Sequence, residues 1–180
     1  MTLDIMKSRT RATVATLVML LSGCVVAPVS RTYYEPNPAD GTPSRSASCG
    51  YHRAAEDMLK RDIEGITVSV LPQYKDGQPP SVYVLIGQTS KAVELDPNRF
   101  EVRYGIAAVA DRPATLTMKN AGPYFLKSIN YIFAQFSPSD DIAVVFLPGF
   151  IKIDGKDVEV SPFRFRKTTK LDVYYGSINC

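Results

Sequence analysis

The sequence predicts a mainly β protein, an antiparallel β-sandwich with one or two short helices. From Gly65 onward the apolar residues recur with a period of two, which is typical of strands with one face in water. Turn-forming residues separate the candidate strands at short and regular intervals, as in antiparallel sandwiches. The chain has 180 residues, enough for one domain with a sizeable core and too few for two full domains.

Residues 1–23 have the features of a cleaved secretory leader. Basic residues come first, and the uncharged run over residues 12–21 is too short to cross a bilayer as a stable helix. A start at Met6 instead of Met1 would remove Asp4 and leave a cleaner basic leader, so the true start stays open. The basic residues of the leader are Lys7, Arg9 and Arg11.

The leader ends in the motif Leu21-Ser22-Gly23-Cys24, which resembles the lipobox of bacterial lipoproteins. In those proteins the cysteine thiol receives a diacylglycerol, the chain is cut before it, and the new amino terminus is acylated. The resemblance implies a lipid on Cys24, and Val25 and Val26 in place of aspartate imply sorting to the outer membrane of a Gram-negative bacterium. The alternative is an ordinary signal peptide with a chance cysteine, which would also place the protein outside the cytoplasm.

Residues 25–48 are predicted to form a flexible tether between the lipid and the domain. Prolines among Ser, Thr, Asn, Asp and Gly cannot bury enough apolar surface to offset the entropy of ordering this stretch. A flexible chain of this length reaches roughly 25 to 30 Å. Tyr33 and Tyr34 are its aromatic residues, and they form either a short partner-binding motif or stray contacts with headgroups or the domain.

The two remaining cysteines, Cys49 and Cys180, are predicted to form a disulfide between the two ends of a domain over residues 49–180. Closing so long a loop stabilises the folded state by roughly 5 kcal/mol at most in the chain-entropy model. The alternative makes Cys49 and the single histidine, His52, half of a metal site at C-x-x-H spacing. Zinc needs three or four ligands, and the sequence offers no second pair, so no metal is predicted.

Two segments break the strand pattern and are predicted as helices. Residues 53–64 carry apolar residues at helical spacing and precede Gly65, a residue that often caps helices. Residues 123–136 begin with Pro123, end before Pro138, and carry an apolar stripe. The first set of apolar residues is Ala55, Met58, Leu59 and Ile63, and the second is Phe125, Ile129, Ile132, Phe133 and Phe136.

The predicted strands follow one another through the rest of the chain. Two apolar runs, residues 82–86 and 142–147, are expected to be central strands covered on both faces. Asp154 and Gly155 predict a hairpin. The other predicted strands cover residues 66–70, 91–95, 100–104, 114–118, 150–153, 158–160, 163–166 and 171–175.

The stretches VELDPNRFEV from Val93 and IKIDGK from Ile151 resemble small bacterial extracellular immunoglobulin-like domains. The resemblance covers residues 65–176 and implies an immunoglobulin-like β-sandwich of uncharacterised type. The chain has no tryptophan, and its spare cysteines lie at the ends, so the core tryptophan and intersheet disulfide of antibody domains are absent.

Two features are candidates for partner binding. The apolar helix over residues 123–136 either crosses an open end of the sandwich as part of the core or docks a partner beside Tyr124 and Tyr131. We predict that Ile129 and Phe133 are core residues and that the two tyrosines face a partner. The basic strand of Arg164, Arg166, Lys167 and Lys170 either contacts an anionic polymer, such as lipopolysaccharide or a glycan, or protects an exposed edge.

The remaining composition favours a noncatalytic protein. Without residues 1–23 the chain carries 18 basic and 17 acidic residues, a balance that gives no support for nucleic acid as a partner. His52 has no evident nucleophile beside it in the sequence, and Asp111 and the Asp140-Asp141 pair fit turns or caps. No catalytic residue or cofactor is predicted.

We therefore expect an envelope lipoprotein that acts in binding, scaffolding or assembly, with an unidentified envelope protein or polymer as its partner. A periplasmic enzyme with a site built from scattered polar residues is the main alternative. A small periplasmic enzyme inhibitor is a further variant, because some such inhibitors are also anchored β proteins with a terminal disulfide.

Overall fold

Antiparallel strands are the main secondary structure of the described chain. The computed structural model describes residues 24–46, 51–52, 55–74, 78–104, 109–120, 125–134 and 141–177. Within these ranges a single turn of 3₁₀ helix, Pro38–Asp40, interrupts the strands. The strands in chain order are β1 (Cys24–Pro36), β2 (Thr42–Ser44), β3 (Tyr51–His52), β4 (Met58–Ile63), β5 (Ile66–Gln73), β6 (Ser81–Gly87), β7 (Val93–Leu95), β8 (Phe100–Tyr104), β9 (Val109–Asp111), β10 (Thr115–Lys119), β11 (Phe125–Ile132), β12 (Asp141–Phe146), β13 (Ile151–Ile153), β14 (Lys156–Asp157) and β15 (Phe163–Ser177).

The strands form two large sheets and one small sheet. Sheet A has the order β1-β15-β12-β8-β9, and β3 also pairs with β15. Sheet B has the order β10-β11-β6-β5-β4-β2, and the small sheet has the order β14-β13-β7. The predicted central strands, β6 and β12, each lie between two neighbours, as expected from their apolar runs. The expected cover on both faces is not complete, because partly exposed residues alternate with buried ones along β6 and Ala143 of β12 is partly exposed.

Sheets A and B share one cluster of buried side chains. Phe100 of β8 in sheet A stacks on Tyr131 of β11 in sheet B, with the ring centroids 3.7 Å apart. Phe133, Phe146 and Phe150 surround this pair at centroid distances of 5.9 to 6.5 Å from Phe100. This aromatic group therefore connects the two large sheets, and it includes Phe133 as predicted.

The predicted helix over residues 53–64 is wrong, because Met58–Ile63 form strand β4. Gly65 does not cap a helix there. Glu64 and Gly65 both have positive φ angles, 52° and 80°, and form a two-residue hairpin turn in which Ile63 pairs with Ile66. The side chain of Asp62 accepts a hydrogen bond from the backbone N–H of Gly65 at 2.9 Å.

The predicted helix over residues 123–136 is also wrong, because Phe125–Ile132 form strand β11 between β10 and β6. The buried residues Ile129 and Tyr131 of this strand, and Phe133 directly after it, follow a period of two. Aromatic and β-branched residues favour strands, and their side chains face the core on alternate positions. The core assignment of Ile129 and Phe133 is confirmed, although a strand and not a helix carries Ile129.

The stretch predicted as a flexible tether is ordered over much of its length. Cys24–Pro36 form β1, which pairs with β15 along its whole length, and Tyr33 and Tyr34 are buried. Its prolines do not prevent pairing, because β1 and β2 are edge strands, where a missing N–H can face the open side. Pro28 and Pro36 lie in β1, and Pro43 lies in β2.

Most of the predicted strands are confirmed, with changes at their ends. Asp154 and Gly155 form the expected hairpin turn, with φ angles of 50° and 77°, between β13 and β14. The strand predicted over residues 158–160 is not formed, although the backbone N–H of Val158 still donates to the carbonyl oxygen of Ile151 at 3.1 Å. Among the described residues, no helix is long and apolar enough to cross a membrane.

Candidate functional site: an arginine-lined groove

An open groove of about 940 Å³ lies between the 3₁₀ turn, the segment before β15, and the solvent-facing side of sheet A. We call it the arginine groove, because three arginines line it, one from β8 and two from β15. The charged residues that line it are Arg103, Arg164, Arg166, Glu35, Asp40 and Asp141.

Strand register places the three arginines together. Ala143 of β12 pairs with Arg103 of β8 on one side and with Arg164 of β15 on the other. Arg166 pairs with Asp141 two residues along the same strands. Because residues two apart on a strand share a face, all five side chains lie on the same side of sheet A. The small side chain of Ala143 leaves an open floor between two arginines.

Asp40 fixes Arg164 at the wall of the groove. Its carboxylate accepts hydrogen bonds from the backbone N–H of Arg164 at 2.9 Å, from Nε at 2.8 Å and from Nη2 at 2.5 Å. These bonds hold the pKa of Asp40 below its usual value and raise the pKa of Arg164. The Asp40 side chain is buried and that of Arg164 is exposed, so the positive group faces the solvent.

The 3₁₀ turn that carries Asp40 is itself held in place by neighbouring residues. Arg61 of β4 donates to the carbonyl oxygens of Asp40 and Ser161, both at 2.6 Å, and so joins the turn to the segment before β15. At Gly41 a β-carbon would overlap the carbonyl oxygen of Lys60, so this close approach requires glycine.

The other two arginines also have carboxylate partners. Arg103 Nε donates to Glu101 Oε1 at 2.6 Å, and the Glu101 side chain is mostly buried. Arg166 Nε donates to Asp141 Oδ1 at 3.2 Å, and these side chains are 76% and 64% exposed. The Arg166 pair therefore contributes little to stability, since exposed ion pairs are worth about 0 to 1 kcal/mol. Arg166 can change partner at low cost.

The four basic residues predicted on one strand all lie on β15, but they do not act as one surface. Arg164 and Arg166 line the groove. Lys170 binds Glu35 of β1 at 2.6 Å, a contact that raises the pKa of this lysine. The Lys167 ammonium lies 4.2 Å from the centre of the Tyr74 ring. Lys167 and Lys170 are thus used in contacts within the fold.

Tyr131 does not face a partner, which corrects the prediction for this residue. Its side chain is fully buried, where it stacks on Phe100. Burial also raises its pKa. The error has the same origin as the helix prediction, because a period of two places Tyr131 on the core side of β11 together with Ile129. Tyr124, the other tyrosine of this prediction, lies outside the described residues.

Sequence reasoning missed Arg103 as a groove residue. The alternation of Phe100, Val102 and Tyr104 with Glu101 and Arg103 indicated a solvent-facing side chain, and that side chain is indeed half-exposed. Nothing in the local pattern indicated that β8 would lie two strands from β15. The position of Arg103 in the groove therefore follows from the order of the strands in sheet A, and no short stretch of sequence shows that order.

The residues considered for catalysis or metal binding are scattered in the described chain. Asp141 pairs with Arg166, and Asp111 accepts a hydrogen bond from the Tyr104 hydroxyl at 3.1 Å. His52 lies in β3, opposite Tyr174 of β15. Cys49, Cys180 and Asp140 lie outside the described residues. Within the described ranges, no three His, Cys, Asp or Glu residues are grouped so that they could hold a metal ion.

Comparisons of the chain with protein-family models, with curated proteins and with solved structures gave no match.

We expect the Asp40 carboxylate to make stability depend on pH. Its pKa is lowered in the folded state, so its contribution is present above the unfolded value of about 3.9 and is lost as the pH falls toward the folded value. Asp40→Asn should therefore unfold at a lower temperature than the wild type at neutral pH, and the difference should narrow on acidification. Thermal melts from about pH 7 to about pH 3 test this.

The same substitution at Asp157, an exposed carboxylate of β14, is the matched control. Asp157→Asn should leave the pH profile close to that of the wild type. If the unfolding temperatures of Asp40→Asn and the wild type differed by the same amount at every pH tested, that result would contradict a stabilising contact between Asp40 and Arg164.

Proposed function

We propose that the protein is a noncatalytic binding module of the bacterial cell envelope, and that its arginine groove binds an anionic polysaccharide. The observation that carries the proposal is the row of Arg103, Ala143 and Arg164 across three paired strands, with Arg166 beside it. The leader and the lipobox-like motif support the envelope location and a lipid on Cys24.

Three further expectations belong to this proposal. Sheets A and B pack as an immunoglobulin-like sandwich, Cys49 and Cys180 form a disulfide, and the lipid directs the protein to the outer membrane. The core shared by sheets A and B supports the first of them. The second is supported by the presence of two cysteines besides Cys24, because cysteines in an oxidising compartment commonly form disulfides.

Each groove arginine keeps N–H donors beyond those that its carboxylate partner accepts. Among the described residues, the contacts of Arg164 with Asp40 use Nε and Nη2, and that of Arg166 with Asp141 uses Nε. A guanidinium carries more donors than these contacts use, and its planar fork matches phosphate and carboxylate groups. An anionic ligand can therefore bind without removing Asp40 from Arg164.

Burial of the Asp40 and Glu101 carboxylates leaves their arginine partners as the groups that face the solvent. The side chains of Asp40 and Glu101 are mostly buried, whereas Arg103, Arg164 and Arg166 are exposed. Glu35 and Asp141 are exposed acceptors at one end of the groove. A ligand that carries hydroxyl donors as well as anionic groups complements this mixture, and charged polysaccharides have both.

The spacing of the arginines fits a polymer with repeated anionic groups. Neighbouring strands lie about 4.8 Å apart, so the backbones of Arg103 and Arg164 are separated by roughly 10 Å. A polysaccharide that carries a charge on successive units can contact both guanidinium groups while it lies over Ala143.

Binding to lipopolysaccharide micelles and to soluble peptidoglycan fragments tests this proposal, with neutral dextran as a negative control. We expect binding to at least one anionic polymer, and Arg166→Gln should weaken it about tenfold. A charge-assisted hydrogen bond contributes about 1.5 kcal/mol, and about 1.4 kcal/mol corresponds to a factor of ten. Added salt should weaken binding further, because these charges are exposed.

The matched control is Lys156→Gln, which removes one exposed positive charge from β14 outside the groove. It should leave affinity unchanged. Equal weakening by both substitutions would indicate a general charge effect and contradict a site in the groove. Failure to bind either anionic polymer would contradict the proposed ligand class.

A further inference from the structure

Strands β1 and β15 extend as a two-stranded ribbon whose apolar side is exposed. In the described part of the chain five large apolar side chains are exposed, and four of them lie on this ribbon. Three of these share one face, because Val26 pairs with Tyr175, Pro28 with Val173 and Ser30 with Leu171. The exposed fractions of Val26 and Leu171 are 60% and 83%. We call this surface the ribbon face.

The ribbon face continues the side of sheet A that carries core residues. Alternation along β1 and β15 places Tyr34 and Phe165, both buried, on the same side as Val26 and Leu171. At the boundary, Lys167 covers the edge of the core by its contact with the Tyr74 ring. Beyond that point Thr32 and Thr169 hydrogen-bond to each other at 2.8 Å, and after them the exposed apolar residues begin.

The opposite side of the ribbon is largely covered, and it holds a buried ion-pair network next to the buried ring of Tyr33, with Tyr174 exposed near its end. Arg31 donates to Asp57 at 2.5 Å and to Asp172 at 3.5 Å, and both carboxylates are buried. Antiparallel sheets of soluble proteins usually turn polar residues toward water and cover their large apolar residues. The ribbon therefore presents apolar side chains to the side where a folded domain in water would present polar ones.

The position of Cys24 indicates what covers the ribbon face. Cys24 is the first residue of β1, and it pairs with Ser177 at the same end of the ribbon. Ser30 lies six positions after Cys24, which is about 20 Å of strand, so the whole apolar strip lies near the predicted site of lipid attachment. Apolar side chains close to an anchored lipid can enter the boundary between headgroups and acyl chains.

We propose that the ribbon face lies flat on the membrane surface beside the lipid anchor, an inference that rests on the proposed lipidation of Cys24. The anchor segment is then a rigid contact and not a flexible spacer, so the domain is held in one orientation against the bilayer. The ligand of this face is the lipid surface itself.

Tryptophan fluorescence tests the inference directly, since the chain has no tryptophan of its own. Leu171→Trp places a single probe on the ribbon face, and Met118→Trp places one on the exposed edge strand β10 as a matched control. Each lipidated mature protein is reconstituted in vesicles of phosphatidylethanolamine and phosphatidylglycerol with brominated acyl chains. The fluorescence emission of the tryptophan in Leu171→Trp should shift to shorter wavelength, and the brominated chains should quench most of its intensity. The emission of the tryptophan in Met118→Trp should change little in wavelength and intensity.

The other outcomes separate this inference from the anchor on which it rests. If both proteins float with the vesicles and neither probe is quenched, the anchor stands and the flat contact is wrong. If the proteins do not float with the vesicles, the anchor itself fails, and the inference fails with it. The emission of the Leu171→Trp protein could instead shift with protein concentration and not with added lipid. That result would assign the ribbon face to contact with a second copy of the chain and would also overturn the inference.

Discussion

Phe100→Ala should lower the free energy of unfolding by about 3 to 5 kcal/mol, the usual cost of removing a buried phenylalanine. Phe100 is fully buried on β8, where it stacks on Tyr131 of the other large sheet and contacts Phe133, the residue after β11. Its loss would leave a cavity between the two sheets, because close-packed neighbours relax only partly to fill it. Chemical denaturation, monitored by circular dichroism, measures the change in the free energy of unfolding.

Met118→Ala is the control for this substitution, because Met118 lies on the edge strand β10 and is substantially exposed. It should change the free energy of unfolding by no more than about 0.5 kcal/mol. A Phe100→Ala protein as stable as Met118→Ala would contradict the shared core between sheets A and B.

Arg31→Met should destabilise the protein by about 3 to 5 kcal/mol, the range for breaking a buried ion pair by removing one partner. Arg31 of β1 contacts two carboxylates, Asp57 and Asp172, which are 2% and 0% exposed. Ser46 donates two further hydrogen bonds to Asp57 at 2.6 and 2.7 Å, which do not replace the positive charge. Without Arg31 both carboxylates would stay buried with no cation from β1 to offset them.

A triple variant separates charge from packing in this network. Arg31→Met combined with Asp57→Asn and Asp172→Asn removes all three charges and keeps side chains of similar size. It should recover a large part of the lost stability, because a neutral group is far less costly to bury than an unpaired carboxylate. Urea denaturation of the single and triple variants makes the comparison. A triple variant no more stable than Arg31→Met would indicate that packing and not charge dominates.

The strand content of the fold was predictable from local patterns, and the two helices mark where such patterns fail. A short apolar run can match both the helical period and the strand period. Pairing with strands that are distant in the sequence then determines whether the segment forms a helix or a strand. Around Tyr131, the neighbouring strands β6 and β10 supply that pairing. Around Gly65, a hairpin turn and a helix end use the same residue, so its presence alone could not distinguish them.

The ordered state of β1 was not predictable from its composition. Prolines and small polar residues indicated a mobile segment, but an edge strand tolerates proline, and β15 pairs with β1 over its whole length. The Arg31 contacts to Asp57 and Asp172 stabilise this arrangement across large separations in sequence. Long-range contacts of this kind leave no periodic signal.

The arginine groove was predictable in part. Alternation with Phe163 and Phe165 indicated that Arg164 and Arg166 face solvent, and the groove contains both. The contributions of Arg103 from β8 and of Asp40 from the 3₁₀ turn depend on sheet order and on a contact between residues 124 positions apart in the chain. The site is therefore a product of topology, and its polar residues have no common motif.

Site-specific photocrosslinking in intact cells tests the central claim, that the arginine groove binds an envelope polysaccharide. A photoreactive benzophenone residue at the exposed position of Ser161, on the groove wall, is compared with the same residue at the position of Lys156, outside the groove. We predict a crosslinked product of increased mass that resists protease and contains sugar for the Ser161 position, and none for the Lys156 position. Equal crosslinking at both positions, or a product at Ser161 that contains no sugar, would contradict the account.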